Sequence, residues 1–333
     1  MILVFTNKGD AHPTNVIRHL ISWEVPVFRL NTECLLSDYE FSWWCNKLDC
    51  DFYIKNTKNG LEVYGHEITA IWDRRPFEPE ALLMQSEDEK TNKFMLEEAA
   101  GFLQFLRFYL RDIYSIGSIV HDKPASSKML QLSVARNLGL KIPDTVFANT
   151  KKDILQILHS HEDISLKPID ASAFFTDDGF EYVFYSSKAK SNDIAEKPDE
   201  VFKQTVCFLQ NYVEKKYELR ITVCNQDVVA CKIDSQSLDD DKGRIDWRQG
   251  YDYGLKQEIV DIPDEIKALC TTFLQKMHLN FGCFDFIVTP DGEYVFLECN
   301  PNGQWLWIEL ETGFDISKII AKNLAKFENI GIR

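Results

Sequence analysis

The feature that most constrains this chain is a stretch near its end, from Cys283 to Asn300, in which two strand-like runs flank a turn. Asp291 and Gly292 form the Asp-Gly pair that favours a two-residue β-hairpin turn. With those two residues as the loop, counting back pairs Asp285 with Glu298, and Asn300 lies on the same face. Residues paired in this way have Cβ atoms about 4.5–5.5 Å apart.

Two carboxylates this close, flanked by Phe284, Phe286 and Phe296, repel each other. A hard divalent cation is the simplest remedy, and Asp, Glu and Asn oxygens suit Mg²⁺, which often also binds nucleotide phosphates. The alternatives are a solvated sheet face and a carboxylate paired with Arg. The polar run from Asn300 to Gln304 breaks the strand beside the carboxylates, which favours the metal.

Length and charge limit the class of protein. At about 100–200 residues per domain, 333 residues predict two or three domains. The 37 Lys and Arg against 52 Asp and Glu give a net charge of -15, which disfavours nucleic acid and anionic membranes as partners. No apolar stretch approaches the roughly 20 residues of a membrane span, and the first residues lack a signal peptide's basic region.

The nine cysteines are scattered, and no CxxC pattern occurs. Several of them lie in apolar strand patterns, namely Cys224, Cys231, Cys283 and Cys299. We therefore expect buried free thiols in a reducing cytoplasm rather than a disulfide framework or a zinc site.

The order of elements predicts three segments and a mixed α/β (α+β) fold class. Residues 1–118 alternate strands and helices, which indicates a small α/β domain whose Phe-rich helix Phe94–Leu110 is expected to be core rather than interface. Residues 119–205 read as a smaller α+β unit with a surface loop at Lys188–Asp199. Residues 206–333 are rich in strands and end in a helix.

Several cations precede the hairpin in predicted helices and strands. Lys128 begins a predicted helix, and Lys167 lies in the apolar strand pattern Ile164–Ile169, where a buried lysine needs a partner. That partner is either a phosphate or a neighbouring carboxylate. Glu218 and Arg220 share one strand face, where a simple ion pair is the alternative to a ligand site. The order of these residues along the chain is more informative than any one of them.

That order resembles the ATP-grasp superfamily and, more closely, the peptide-modifying ligases that make microviridins and related graspetides. The resemblance covers essentially the whole chain. Its most specific motifs are Phe296–Glu309, Ile71–Pro76, Ser127–Leu132 and Tyr217–Arg220. It implies an N-terminal pre-ATP-grasp domain (1–118), a central subdomain (119–205) and a C-terminal subdomain with the metal site (206–333), the last two enclosing ATP.

The resemblance also implies roles for individual residues. Lys128 and Lys167 would contact the ATP phosphates, and Glu218 would hold the ribose. The hinge that meets adenine would comprise Gln210, Asn211, Tyr212 and Val213. Arg220 and Arg248 would neutralise the γ-phosphate and the acyl phosphate. Mg²⁺ would bind Asp285, Glu298 and Asn300.

Arg74 and Arg75 end a strand of the first segment, where such sheets usually present ligands. We expect them to hold an acidic side chain of the peptide substrate, with pairing to nearby Asp and Glu as the alternative. The loop Asp170–Gly179, which often covers the phosphates in the superfamily, has a single glycine here. The leader of the precursor peptide is expected to bind around Phe180–Ser186 and the helix after it.

The implied activity is ATP-dependent ligation. Phosphorylation of an Asp or Glu side chain would give an acyl phosphate, which a Thr or Ser hydroxyl or a Lys amine of the same ribosomally made precursor peptide attacks, closing a macrocycle by an ester or amide bond. Alternatives are a ligase that adds amino acids to a peptide or small molecule, and a non-catalytic nucleotide- or peptide-binding module. The resemblance also suggests a homodimer.

Overall fold

The computed structural model describes residues 1–80, 88–170, 173–176, 181–250 and 253–328. Its N-terminal part begins with a parallel sheet, to which a three-stranded antiparallel sheet and a long helix are added. The elements are β1 (Ile2–Thr6), α1 (Ala11–Ser22), β2 (Val27–Asn31), α2 (Leu35–Asp38), β3 (Tyr39–Cys45), β4 (Cys50–Asn56), β5 (Glu62–Tyr64), β6 (Ala70–Asp73), α3 (Glu89–Tyr109) and β7 (Ser115–Ile116).

The parallel sheet has the strand order β2-β1-β6-β7. The chain leaves β1 for β2 on one side and later returns to β6 on the other, so the carboxyl ends of β1 and β6 meet at a switch in strand order, where α/β sheets usually bind ligands. Asp10 follows β1 at this edge, and Arg74 and Arg75 follow β6.

Helix α3 is only half buried. Ala99, Leu103 and Leu106 recur at three- and four-residue spacing and pack into the N-terminal core. Phe94 and Phe105 lie on the opposite face and are 61% and 71% exposed. The expectation that this helix is core therefore holds for one face only.

The middle of the chain contains a four-stranded antiparallel sheet with the order β12-β9-β13-β8 and a separate β10-β11 pair. The elements are α4 (Asp122–Ala125), α5 (Lys128–Asn137), β8 (Thr145–Ala148), α6 (Lys151–Leu158), β9 (Asp163–Lys167), β10 (Ala173–Phe175), β11 (Glu181–Val183), β12 (Ser187–Lys190), α7 (Ser191–Glu196), α8 (Asp199–Phe202) and β13 (Cys207–Asn211).

Two expectations for this part need correction. The stretch Lys188–Asp199 is not a surface loop, because it completes β12 and contains α7. Strand β13 pairs with β8 and β9, so we place the proposed boundary of the C-terminal subdomain after Asn211 rather than after residue 205. Half of the loop Asp170–Gly179, and Phe180 beside it, lie outside the described residues.

The C-terminal part is built on a five-stranded antiparallel sheet with the order β16-β15-β14-β17-β18. The elements are β14 (Tyr217–Cys224), β15 (Asp227–Ile233), α9 (Asp241–Ile245), β16 (Gln257–Val260), α10 (Asp264–Lys276), β17 (Phe281–Val288), β18 (Tyr294–Asn300), α11 (Leu306–Thr312) and α12 (Ile316–Ala325). Phe284 and Phe286 enter a core shared with α5 and α10, whereas Cys283, with its neighbour Asp285 two residues on, faces the other side.

The hairpin register confirms the predicted carboxylate pair, although the loop differs. Thr289 pairs with Glu293, so the loop has three residues and Gly292 adopts a φ of 89°, as a three-residue hairpin with a left-handed position requires. A bulge next to Asp285 then shifts the register by one residue and places Asp285 opposite Glu298. The two departures from the predicted register cancel.

The cysteine expectation is wrong for one pair. Cys45 and Cys50 end adjacent strands and form a disulfide. The other cysteines are free, and all of these except Cys207 are buried. Within the described ranges, no helix combines the length and apolar character needed to cross a bilayer.

Candidate active site

The opposed carboxylates of β17 and β18 form the centre of the site. Both Asp285 oxygens accept hydrogen bonds from Nη1 of Arg220, each at 2.7 Å. Glu298 forms an ion pair with Lys128, the first residue of α5. Asn300 donates from Nδ2 to Asp285 at 3.2 Å. The structure thus brings together the three predicted metal ligands and two of the predicted phosphate-binding cations.

These contacts set the charge of the carboxylates. Burial raises the pKa of Glu298, but Lys128 and Lys167 outweigh burial and lower that pKa to about 2. Burial raises the pKa of Asp285, and Arg220 opposes the rise. Glu298 is therefore ionised throughout the neutral range.

Lys167, at the end of β9, differs from the other cations. Its Nζ has no hydrogen-bond or ion-pair partner among the described residues. Burial lowers the pKa of Lys167, Glu298 opposes the shift and Lys128 adds to it, and together these effects bring the pKa to about 8. A half-buried ammonium without a partner is unfavourable for folding, so this position suits an anionic ligand.

Arg248 completes the group from a turn after α9. Its guanidinium donates hydrogen bonds to the Asp246 carboxylate from Nε at 2.8 Å and from Nη2 at 2.5 Å. Asp246 also accepts a hydrogen bond from the backbone N–H of Ser186 at 3.0 Å. The Asp246 hydrogen bond raises the pKa of Arg248, and Glu298 and Asp285 raise it too, so Arg248 lies within electrostatic reach of both carboxylates.

Together these side chains carry an excess of positive charge. The cations are Lys128, Lys167, Arg220 and Arg248, and the carboxylates are Asp246, Asp285 and Glu298. A net positive group is unexpected in a chain with a net charge of -15. It makes a local site for anions against the overall field of the protein.

The predicted hinge lies where β13 leads towards β14. Gln210 Nε2 donates to Thr145 Oγ1 at 2.9 Å, while its buried Oε1 has no partner in the described part of the chain. Asn211 and Tyr212 bond through their backbone N–H groups to Asp144 and Asp163. Val213 follows in the connection to β14.

The Glu218 carboxylate already has protein partners. It accepts hydrogen bonds from Lys215 Nζ and Ser235 Oγ, and Lys215 also donates to the carbonyl of Ile245 at 2.8 Å. Burial raises the pKa of Glu218, and Lys215 opposes the rise. The expected alternative of a Glu218–Arg220 ion pair is not formed, because each residue has another partner.

Arg74, which was expected to bind the substrate, is held by protein groups, although its Nη2 has no partner among the described residues. Arg74 is 1% exposed. Its Nε donates to Asp10 at 3.0 Å, and its Nη1 donates to Asn302 and to the carbonyl of Gly303. Arg74 therefore ties the N-terminal sheet to the turn after β18.

Arg75 remains a candidate for contact with a ligand. It is exposed, and its φ of 47° lies in the left-handed region that non-glycine residues rarely adopt. Nε and Nη2 both approach the carbonyl of Asn302 at 3.3 Å. Partial burial lowers the pKa of Arg75, and Arg220 contributes to that decrease, so its guanidinium lies within electrostatic reach of Arg220.

A protein-family model matches the part of the chain that contains this site. The RimK-like ATP-grasp domain matches residues 122–324, which include every residue of the cation and carboxylate group. The chain belongs to the RimK-like ATP-grasp family. No curated protein matches the chain.

Solved ATP-grasp structures match over nearly the whole length. A Chryseobacterium gregarium RiPP-associated ATP-grasp ligase, in complex with ADP and a leader and core peptide, is 26% identical, with a TM-score of 0.86 and coverage of 98% of this chain and 96% of that one. The macrocyclase MdnC of Microcystis aeruginosa, bound with the precursor peptide MdnA, is 27% identical, with a TM-score of 0.81 and coverage of 98% and 99%. Macrocyclase MdnB from the same organism, 24% identical with a TM-score of 0.73 and coverage of 97% and 98%, supports the fold alone.

The ATP-grasp site fits the groups that the family implies. The orphaned Oε1 of Gln210 suits an amino group such as that of adenine, and Lys167 suits phosphate. Asp285, Glu298 and Oδ1 of Asn300 are hard oxygen donors, as Mg²⁺ requires. Within the described ranges, no three His, Cys, Asp or Glu side chains are grouped so that they could hold a metal ion by themselves.

Sequence reasoning missed several residues of this ATP-grasp site. Asp246, Lys215 and Asn302 hold Arg248, Glu218 and the turn after β18, respectively. Asp246 stands two residues before Arg248, and such Asp-x-Arg spacing is too common to be recognised alone. Asn302 lies within the polar run after the hairpin, which was the one available signal for it.

Proposed function

We propose that this chain is an ATP-dependent ligase that macrocyclises a ribosomally made precursor peptide, joining Asp or Glu side chains to Thr or Ser hydroxyls or to Lys amines. The observation that carries the proposal is the cation excess around the Asp285–Glu298 pair, which suits phosphoryl transfer to a carboxylate. The reaction on a peptide is supported by two solved relatives above 25% identity, one in complex with a leader and core peptide and the other bound with the precursor peptide MdnA.

The proposed mechanism depends on charge and position. Lys128 and Lys167 bind the phosphates of ATP from α5 and β9, and Arg220 and Arg248 stabilise charge on the transferring phosphoryl group. Mg²⁺ bound by Asp285, Glu298 and Asn300 would neutralise phosphate charge and orient the phosphoryl group. The carboxylate of the peptide attacks the γ-phosphorus, and ADP leaves.

The second step closes the ring. A hydroxyl or amine attacks the acyl phosphate, a carbon–oxygen or carbon–nitrogen bond forms, and phosphate leaves while the nucleophile loses its proton. Holding both groups of one peptide in reach supplies much of the rate that a ligase of this kind needs. We assign Arg75 to the acidic side chain, because it is exposed close to Arg220.

Adenine would lie against the hinge, with Oε1 of Gln210 accepting from its amino group, and a ribose hydroxyl would share Glu218 with Lys215. We place the leader near β11 and the start of β12, where Tyr182, Phe184 and Tyr185 are 56%, 44% and 37% exposed. Because the enzyme repels an acidic core peptide at long range, affinity has to come from the leader and from local arginines. A cytoplasmic homodimer completes the proposal.

The test is a reconstitution. A short reading frame beside the coding region that contains repeated Thr, Ser or Lys with Asp or Glu supplies the precursor, which is incubated with enzyme, Mg²⁺ and ATP. We expect ADP release with the loss of one water per bond in the mass spectrum, and hydroxide treatment distinguishes esters from amides. ADP release without water loss from the peptide would contradict the macrocyclase and indicate another acceptor. Tight ATP binding without turnover would favour a non-catalytic module.

A further inference from the structure

Asp10 joins two residues that lie far apart in the sequence. Its carboxylate caps α1 by accepting the backbone N–H of His12 at 2.9 Å and the Nδ1–H of the same residue at 2.6 Å. Its second oxygen accepts Nε of Arg74 at 3.0 Å. Burial raises the pKa of Asp10, but His12 and Arg74 outweigh burial and keep it well below its usual range. Asp10 is therefore a buried, ionised acceptor.

His12 connects Asp10 to the C-terminal part of the chain. Since Nδ1–H donates to Asp10, the opposite nitrogen, Nε2, is an acceptor, and it faces the backbone N–H groups of Trp305 and Leu306 at 3.4 and 3.3 Å. These N–H groups begin α11 and have no partner within the helix. The Trp305 ring meets the imidazole edge-on, with 4.8 Å between ring centroids. His12 thus caps a helix 293 residues further along the chain.

The neutral form of His12 is required for this cap. Burial lowers the pKa of His12, Arg74 and Arg75 also lower it, and Asp10 opposes them. These are the charged groups that face His12 from the end of β6 and the start of α1, while the Trp305–Leu306 turn presents a ring and two N–H groups. Protonation at low pH would turn Nε2 into a donor and remove the acceptor for α11.

The segment held in this way adjoins the proposed catalytic group. It follows Asn300 directly, and its carbonyl groups accept hydrogen bonds from Arg75 at Asn302 and from Arg220 at Gln304, the latter at 3.4 Å. Asn302 is also held by Arg74, at 2.8 Å to its carbonyl and 2.9 Å to its Oδ1. Arg75 and Arg220, two of the arginines assigned to the reaction, therefore donate hydrogen bonds to this turn.

We propose that His12, oriented by Asp10, is a positioning residue for the ligase: it holds the turn Pro301–Trp305, and so sets where Arg75 and Arg220 lie relative to the reacting carboxylate. The inference rests on the proposed function for its effect on the reaction. It has a separate structural consequence, because α11 loses its cap when the imidazole is removed or protonated.

The experiment compares His12→Phe, which has no acceptor, with His12→Gln, whose amide oxygen can accept, and uses His19→Gln as the matched control from the same helix. We expect His12→Phe to lower kcat by about 10- to 100-fold, as small misplacements of reacting groups do, with the KM for ATP changed by less than about twofold. His12→Gln should retain more activity than His12→Phe. Amide hydrogen exchange over residues 305–312 should be faster in His12→Phe than in the wild type at the same pH.

Full activity in His12→Phe together with faster exchange of α11 would overturn the positioning role, because the turn would then move without consequence. Unchanged exchange in His12→Phe would overturn the cap itself. If the wild-type enzyme releases no ADP with any precursor, the proposed function fails, and the exchange of α11 still decides whether His12 caps it. His19 pairs with Asp315 at 3.1 Å on the surface, so His19→Gln should leave both readouts near the wild type.

Discussion

Arg74 and Lys167 are both cations withdrawn from water, but their surroundings differ. Arg74 is part of a network of protein groups, with Asp10, Asn302 and Gly303 accepting its hydrogen bonds. Lys167 is one of four cations grouped with three carboxylates, and it has no partner in the described residues. The first arrangement pairs the charge with a protein carboxylate, although Nη2 of Arg74 has no partner in the described part of the chain, whereas the second one lacks a paired anion until a ligand binds.

The comparison distinguishes a cation that contributes to the fold from a cation that contributes to ligand binding. Removing a buried cation that is paired with protein groups destabilises the fold, because it leaves its partners unpaired. A cation without a partner destabilises the fold and persists because a ligand needs it. The same kind of substitution should therefore have opposite effects on stability in the two regions.

The largest effect is expected for Arg74→Met. It leaves the Asp10 carboxylate buried without its guanidinium, and breaking a buried pair typically costs about 3–5 kcal/mol. Denaturant unfolding measures the loss. Arg75→Met is the matched control, and an exposed substitution there should change stability by less than about 0.5 kcal/mol. Equal losses of stability in the two variants would show that the contacts of Arg74 contribute no more to the fold than those of Arg75.

Glu298→Gln tests the ligand-dependent region by activity. It removes one carboxylate from the predicted Mg²⁺ set and the partner of Lys128, and the loss of one preorganised electrostatic contact costs about 10²–10³ in rate. ADP release with saturating precursor gives the measurement. Glu293→Gln, on the same hairpin but paired with Lys141 at the surface, should retain wild-type activity. A fully active Glu298→Gln enzyme would refute the metal assignment.

Lys167→Met should change stability in the other direction. The lowered pKa of Lys167 means that its charged form is disfavoured in the fold at neutral pH, a cost that disappears as pH rises from about 8 towards the unfolded value. Replacing it should stabilise the ATP-free protein by about 1–2 kcal/mol, as for other buried charges replaced by apolar groups, while weakening ATP binding. Lys188→Met, which breaks an ion pair with Asp163, is the control. A loss of stability in Lys167→Met would mean that Lys167 has a protein partner.

The smallest expected effect is a pH dependence. In the free enzyme Lys167 loses its proton near pH 8, so kcat/KM for ATP should fall roughly fourfold between about pH 7 and pH 8.5 if the ammonium is needed. Lys167→Arg should flatten this part of the profile, because a guanidinium stays charged. The same decline in both enzymes would assign the pH dependence to another group.

The hairpin shows how a correct prediction can rest on an incomplete reason. Asp291-Gly292 indicated a turn, and the expected pair Asp285–Glu298 is present. The three-residue loop and the bulge were both missed, because bulges depend on sheet twist and on contacts with neighbouring strands. Their one-residue shifts cancelled, so the carboxylates still face each other.

Arg74 and the cysteines show the opposite case. Two adjacent arginines at a strand end look equivalent in the sequence, yet one is buried and bonded to a turn 228 residues away, while the other is exposed. Cys45 and Cys50 were expected to be free, but pairing of β3 with β4 places them directly opposite each other. Both outcomes depend on which distant strands and turns the fold brings together.

The sequence by itself determined the class of this protein, because the order of cations, hinge and carboxylates reflects local strand and helix positions that short-range patterns reveal. It also predicted which carboxylates form the centre of the site. The tertiary structure alone decided which charges are satisfied by protein groups and which are left for a ligand. That distinction depends on burial and on partners hundreds of residues away, such as Asn302 for Arg74 and Trp305 for His12, and no local pattern records them.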